Sequence, residues 1–328
     1  MLVISKEEVR RLMPVSDAIP VVGRAYAELS SRTAVVPNRL SLTGRDEKGV
    51  TLIMPGYLSV DDSMAVKMVS VFPENTGKNL PAIHGLIIVI DSQTGMPLAA
   101  IEGAYLTSLR TGASCGLATD LLSRRDSANV AMIGAGAQSR LIVPAVCSVR
   151  EIEKIFVFDI SAESAVSWVD EMSEMFRGKI DFRAVNDPAE AIRKADIICT
   201  ATTSETPVFS GLDLRLGSHV NGIGSFTPDM NEVGLETIRR CSKIVVDSID
   251  GALSEAGDLI QAIEYGAIGA ETIHAEIGEI LNGSKPGREN DTEITFFKSV
   301  GNAALDVAVG AEIFRRALAE GSGVSIDL

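Results

Sequence analysis

The sequence predicts an α/β protein in which a doubly wound parallel sheet is joined to an α+β domain. Three observations carry this reading. Between residues 130 and 247, short apolar runs alternate with helix-compatible segments, the rhythm of β-α-β units around a parallel sheet. The first run, 130–133, leads at once into Gly134-Ala-Gly-Ala-Gln-Ser139, and the second ends in Asp159. Ahead of residue 104 the pattern changes to short helices followed by strands that succeed one another through polar turns.

Taken in order, Ser5 with Glu8 three residues on is a capping box, which starts a helix to about residue 13. Ser16 or Asp17 caps a second helix over 18–30. Strands follow at 35–42 and 50–54, separated by a polar turn at 43–49, and another at 64–72 carries Lys67 inside an apolar run. A loop with glycine and proline at 73–81 leads to a strand at 85–90. The turn Asp91-Ser-Gln-Thr-Gly95 then forms a hairpin with 96–102. Residues 104–122, rich in alanine and leucine, are a helix into the next domain. Strands at 130–133, 154–158, 180–185, 195–202, 219–224 and 243–247 alternate with helices at 140–149, 162–176 and 187–194. A strand near 294–301 and a helix over 302–319 close the chain, the helix packing back on the first domain. The boundaries expected are 1–112 with 302–328 for one domain and 113–301 for the other.

The order strand, glycine turn, helix, strand, acid is what a dinucleotide site of the Rossmann type requires. Gly134 permits the tight turn, and Gly136 lets the backbone approach a pyrophosphate. The helix N-terminus offers free N–H groups, and Asp159 can accept hydrogen bonds from ribose hydroxyls. The third glycine of the usual fingerprint is Ser139 here. A carboxylate repels a ribose 2′-phosphate, so NAD(H) is favoured, with NADP(H) left open. The loops starting at Gly134, Thr202, Ile223 and Asp247 should surround the cofactor, because ligands bind beyond the carboxyl ends of such strands.

The composition bounds the function. A formal charge of −14 over 328 residues argues against nucleic acid, which calls for a basic face. Cys115, Cys147, Cys199 and Cys241 are widely spaced and read as reduced thiols, and the isolated His84, His219 and His274 give no legible metal site. The N-terminus is unlike a signal peptide and no apolar stretch reaches membrane-spanning length, so a soluble, cytoplasmic protein is expected.

Arg39, Lys67 and Arg110 are each cations in predominantly apolar elements. A buried cation must meet an anion or shift its pKa. Together they suggest a substrate bearing a carboxylate, with arginine supplying a bidentate fork and lysine a proton. His84 could instead be the acid, although a satisfied core histidine is the simpler reading.

With these residues in view, the chain resembles the ornithine cyclodeaminase/μ-crystallin family over essentially its full length. The matching features are Arg39, Met54-Pro55, Lys67, Pro73-Glu-Asn-Thr-Gly-Lys-Asn-Leu80, Arg110-Thr111, Ile133-Gly-Ala-Gly-Ala-Gln-Ser139, Asp247, Glu255-Ala-Gly-Asp258, Lys298-Ser-Val-Gly301 and Asp306. The resemblance implies homodimers in which the first domain supplies the subunit interface and the substrate pocket, and the second binds a nicotinamide cofactor. By that analogy Arg39, Lys67 and Arg110 contact the substrate, chiefly its carboxylate, and Val300 lies beside substrate and nicotinamide. Cofactor positions are Ala82, Arg110, Thr111, Gly134, Gly136, Ala137, Gln138, Asp159, Thr202, Val220, Asn221, Gly222, Ile223 and Ser299.

Two departures narrow the activity. The family's cyclodeaminases carry an acid where this chain has Phe226, and a glutamate where it has Leu52. A diamino acid would lose both partners, so cyclodeamination is disfavoured. What the resemblance implies instead is NAD(P)H-dependent reduction of a small cyclic α-imino acid, first 1-pyrroline-2-carboxylate to L-proline, with 1-piperideine-2-carboxylate to L-pipecolate the other candidate. Lys67 would act as general acid, its pKa lowered by neighbouring arginines. Alanine dehydrogenation, non-catalytic ligand binding and condensation of an amino acid with a keto acid through an imine stay open at this point.

Overall fold

The computed structural model describes residues 1–44 and 48–327. They form two compact units, Met1–Arg110 with Asn302–Leu328, and Thr111–Gly301. The first begins with β1 (Leu2–Ile4), α1 (Lys6–Leu12) and α2 (Val15–Ser30). It continues through β2 (Leu40–Thr43), β3 (Val50–Leu58), β4 (Ser63–Val71), β5 (Ile83–Ile90) and β6 (Pro97–Glu102), ending in α3 (Gly103–Leu122), which runs on into the second unit.

The second unit continues with β7 (Asn129–Ile133), α4 (Ser139–Val149), β8 (Lys154–Phe158), α5 (Ala162–Phe176), β9 (Asp181–Ala184), α6 (Pro188–Ile192) and β10 (Ile197–Thr200). After these come β11 (His219–Gly222), α7 (Leu235–Arg240), β12 (Lys243–Val246), α8 (Ile249–Glu255), α9 (Gly257–Glu264), β13 (Ile273–Glu276), α10 (Ile277–Leu281) and β14 (Thr295–Lys298). The chain then returns to the first unit as α11 (Ala303–Glu320) and β15 (Val324–Ser325).

In the first unit a seven-stranded sheet has the order β15-β1-β6-β5-β4-β3-β2. From β2 to β6 neighbours are antiparallel, so side chains on each strand alternate between two faces. One face carries Met54, Lys67 and Ile87 in a cross-strand row, with Ala65, Val69 and Val89 beside them, and it is buried. Helix α11 packs against β3, β4 and β5. The opposite face presents the row Leu40, Ile53, Met68 and Leu86, of which Leu40 is 64%, Met68 43% and Leu86 37% exposed.

In the second unit eight parallel strands take the order β13-β12-β14-β11-β10-β7-β8-β9. From β7 the chain winds outward through β8 and β9, then restarts on the other side of β7 with β10 and β11. That reversal is the doubly wound topology expected from the sequence, and it puts a switch point at β7. Ile133, Ile198, Val220, Val246 and Phe296 lie in one apolar core of this unit.

Several elements differ from expectation in their limits. Helix α2 starts at Val15 because Pro14, in extended conformation, occupies the cap position, and no side chain caps it. Residues 35–39 are not strand: Val35 makes a single bridge to Tyr57, and the sheet edge begins only at Leu40, after Pro37. Strand β3 runs on to Leu58, past Pro55 and Gly56. Strand β13 has no counterpart among the expected strands. The turn expected over 43–49 falls partly on residues 45–47, which lie outside the described residues.

Candidate active site

In the first unit the structure brings Lys67 and Arg110 together on a carboxylate that sequence reading left without a role. Asp306, in the first turn of α11, accepts hydrogen bonds from Lys67 Nζ on both oxygens, at 3.1 and 3.2 Å, and from Arg110 Nε on Oδ1 at 3.3 Å. Lys67 is 2% exposed, Arg110 7% and Asp306 1%. Alternation on β4 turns Lys67 inward with Ala65 and Val69, and the antiparallel register sets it between Met54 and Ile87.

The Lys67 ammonium is lowered to about 8, and burial is the largest cause. Asp306 pulls it back up, and the guanidinium groups of Arg110 and Arg39 push it further down. The expected lowering is therefore present, but its first cause is desolvation and the arginines come second. Leu52, two residues before Met54 on the same face of β3, packs with Val36, Met54, Val69 and Ala303. His84 is exposed and not a core histidine. It pairs with Ser70 in β4, three residues from Lys67, and so belongs to the face of the sheet opposite Lys67.

In the second unit Gly134 takes φ +102°, and a Cβ there would lie 2.7 Å from the Ala201 carbonyl oxygen, so glycine is required twice over. Gly136 faces open space: nothing lies within 4 Å of where its Cβ would be, which leaves room for a ligand to approach the backbone. Ser139, in place of the third glycine, is fully buried and donates its hydroxyl to the Gly136 carbonyl at 2.7 Å. Gln138 Oε1 is buried without a hydrogen-bond partner among the described residues. Asp159 is tied at both oxygens, accepting from Ala135 N at 2.8 Å and Ser161 N at 2.9 Å. Arg140 donates to the carbonyls of Ala135 and Gly136 and pairs with Glu171.

The remaining expected positions divide. Ala82 and Arg110 belong to the first unit, and Thr111 opens the second. Ala137 is exposed beside Gly136. Val220 and Asn221 are fully buried within β11, Asn221 donating to Thr119 Oγ1, so their side chains are committed to the interior. Gly222 ends that strand and Ile223 follows it at 8% exposure. Ser299 donates to Asp247 Oδ2 at 2.8 Å, which also accepts from the N–H groups of Val300 and Gly301. Burial pushes the Asp247 carboxyl up, against these donors. Thr202 is half-buried and bonds to Glu232 through both its N–H and its hydroxyl. Glu232 was not singled out by the sequence reading, and Asp258 and Asp306 were only matching positions. Among the described residues no group of three or more His, Cys, Asp and Glu could hold a metal ion, and no helix is long and apolar enough to cross a membrane.

Comparison with known proteins adds to this geometry. A profile of the ornithine cyclodeaminase/mu-crystallin family matches residues 1–321. A Δ1-pyrroline-2-carboxylate reductase of Bacillus cereus is 42% identical over 327 residues, covering all of both chains. The structure of the Δ1-pyrroline-2-carboxylate reductase of Thermococcus litoralis in complex with NADH and L-proline superposes with a TM-score of 0.95. It is 42% identical over 99% of this chain and 100% of that one. An archaeal alanine dehydrogenase dimer with bound NAD has a TM-score of 0.93 at 34% identity, over 100% of this chain and 99% of its own. The chain belongs to the ornithine cyclodeaminase/mu-crystallin family.

Proposed function

We propose that the protein is an NAD(P)H-dependent oxidoreductase that reduces 1-pyrroline-2-carboxylate to L-proline. It would also take the imine one methylene larger, 1-piperideine-2-carboxylate, to L-pipecolate. The observation that carries this reading is the buried Lys67, bonded to an Asp306 that Arg110 also holds, with its pKa lowered to about 8. Identity of 42% over the whole length to reductases of that imine supports the same substrate.

The chemistry follows from these groups. Arg39 and Arg110 hold the substrate carboxylate, fixing the orientation of the ring. A bound reduced nicotinamide supplies the hydride that adds to the imine carbon. Lys67 gives a proton to the imine nitrogen and is reprotonated from solvent, so imine, hydride and proton make the amine. A lysine with a pKa near the working pH serves both halves of that exchange. Leu52, on the face of β3 that carries Met54, offers the ring an apolar wall where a diamino acid would need an anion. The second unit holds the dinucleotide, with phosphates over Gly134, Gly136 and Ala137 and ribose hydroxyls on Asp159. The open space at Gly136 and the orphaned Gln138 Oε1 fit that group. NAD(H) is preferred over NADP(H). Asp159 is fastened at both oxygens and cannot swing away from a 2′-phosphate, and the loop's own cation, Arg140, is drawn onto carbonyls and Glu171.

The working unit is a homodimer. The row of Leu40, Met68 and Leu86 is an apolar sheet face that a second copy would cover, and an archaeal relative is a dimer. Sedimentation at the monomer mass would overturn this.

The test is oxidation of NADH and NADPH with 1-pyrroline-2-carboxylate, run beside pyruvate plus ammonia. Fast turnover of the cyclic imine, with NADH the better donor, is expected. Turnover of pyruvate and ammonia alone would make the protein an alanine dehydrogenase, the second reading, which the 34% identity to that enzyme keeps in play.

A further inference from the structure

The second unit contains a buried charged cluster that the proposed chemistry does not use. Glu232 is fully buried in the segment between β11 and α7. Its Oε1 accepts from Thr202 N at 2.5 Å and Thr202 Oγ1 at 2.8 Å. Its Oε2 accepts from Thr200 Oγ1 at 3.0 Å, Gly224 N at 2.6 Å and Ser225 N at 3.1 Å. All five partners are donors. A carboxylate satisfies them, whereas an amide would turn its own NH2 against some of them.

Glu232 is itself fixed. Its backbone N–H and that of Val233 donate to Asp258 Oδ1 at 2.6 and 2.9 Å, and Asp258 Oδ2 lies 2.5 Å from Lys298 Nζ. Asp258 and Lys298 are wholly buried. Two carboxylates thus stand against one ammonium in the interior, an arrangement that apolar packing would match or better if stability alone were served.

Its place in the sheet says what it serves. Asp159, immediately after β8, marks the side of the switch point that takes the first ribose. The second nucleotide of a dinucleotide then lies over the far side, at the carboxyl ends of β10, β11 and β14. Glu232 joins two of those ends: Thr200 and Thr202 at β10, and Gly224 and Ser225 after β11. Through Asp258 it reaches Lys298, the last residue of β14.

We propose that Glu232 is a positioning residue for the nicotinamide ring of the cofactor: a carboxylate staple that sets the β10 and β11 loops in one register. It touches neither substrate nor cofactor and acts through the backbone of Thr202 and Gly224. The proposal rests on the reading that this unit binds a dinucleotide.

The test is calorimetric binding of NADH and of ADP-ribose, which lacks the nicotinamide, to the full-length wild type and Glu232→Gln. The expected result is an NADH affinity at least tenfold weaker, with ADP-ribose within twofold of wild type. A merely structural residue would weaken both ligands together, so a parallel loss overturns the proposal, as does unchanged NADH affinity. Should Glu232→Gln fail to fold, Thr200→Val removes one donor to the same carboxylate at nearly constant volume. It should weaken NADH by a few-fold and leave ADP-ribose alone, and no change in NADH binding would overturn the proposal. Wild-type protein that binds neither ligand would instead remove the dinucleotide reading.

Discussion

Each unit buries a strand lysine against an aspartate in the first turn of a helix: Lys67 against Asp306 of α11, and Lys298 against Asp258 of α9. The pairs are built alike and differ in the third charge. Asp306 is shared between two cations, Lys67 and Arg110, with Arg39 near enough to act on Lys67. Lys298 instead has Glu232 and Asp258 in its field, and burial pushes the Glu232 carboxyl up, with Lys298 acting against that rise and Asp258 adding to it. A surplus of positive charge loosens a proton and draws in an anion. A surplus of negative charge gathers backbone N–H groups and fixes loops. The pair alone tells neither story; its neighbour does.

The largest effect should come from removing each lysine in turn. Lys298→Met leaves Asp258 buried without its ion pair, a loss on the order of 3–5 kcal/mol, and the melting temperature should fall sharply. Lys67→Met leaves Asp306 with Arg110, so the fold should hold far better while kcat drops by roughly 10²–10⁴, the usual share of a general acid. NADH affinity should be unchanged in Lys67→Met. Equal melting temperatures for the two variants would erase the distinction between the clusters, and unchanged turnover would take Lys67 out of the chemistry.

A finer cut removes the shared carboxylate. In Asp306→Asn, burial, Arg110 and Arg39 all still push the proton off Lys67, and the one group that held it on is gone. Imine reduction needs Lys67 protonated, so kcat/KM should fall above about 8 in the wild type. In the variant that falling limb should move to lower pH by about one unit or more, the scale of one opposite charge at contact distance. Asp306→Glu should restore the limb. A lower kcat with the limb unmoved would reduce Asp306 to packing.

The two clusters were unequally legible in the sequence. Lys67 and Arg110 stood out because a cation in an apolar run is anomalous wherever it occurs, and Gly134, Gly136 and Asp159 because their spacing is local. Asp306 is 239 residues from Lys67, and only the return of α11 to the first sheet joins them. Glu232 and Asp258 lie in a turn-rich segment and a first helical turn, where acids are ordinary, so no one-dimensional signal separates them from caps. His84 was open to a better reading. With the strand started at Ile83, alternation places it with Leu86 and Ile88, away from the face of Ile87 and Val89.

The smallest effect separates charge from shape within the cationic cluster. Arg39 acts on Lys67 more weakly than Asp306 or Arg110 does. Arg39→Lys keeps the positive charge and discards the planar fork. The pH limb should therefore stay within about 0.3 units of wild type, since the charge felt by Lys67 is nearly unchanged. KM for the imine should rise, by roughly tenfold, as one bidentate carboxylate contact becomes a point contact worth about 1.4 kcal/mol less. A limb that moves while KM holds would mean that Arg39 acts on the proton and not on the carboxylate. Arg110 alone would then hold the substrate acid, and the first unit would have one anion fork where two are proposed.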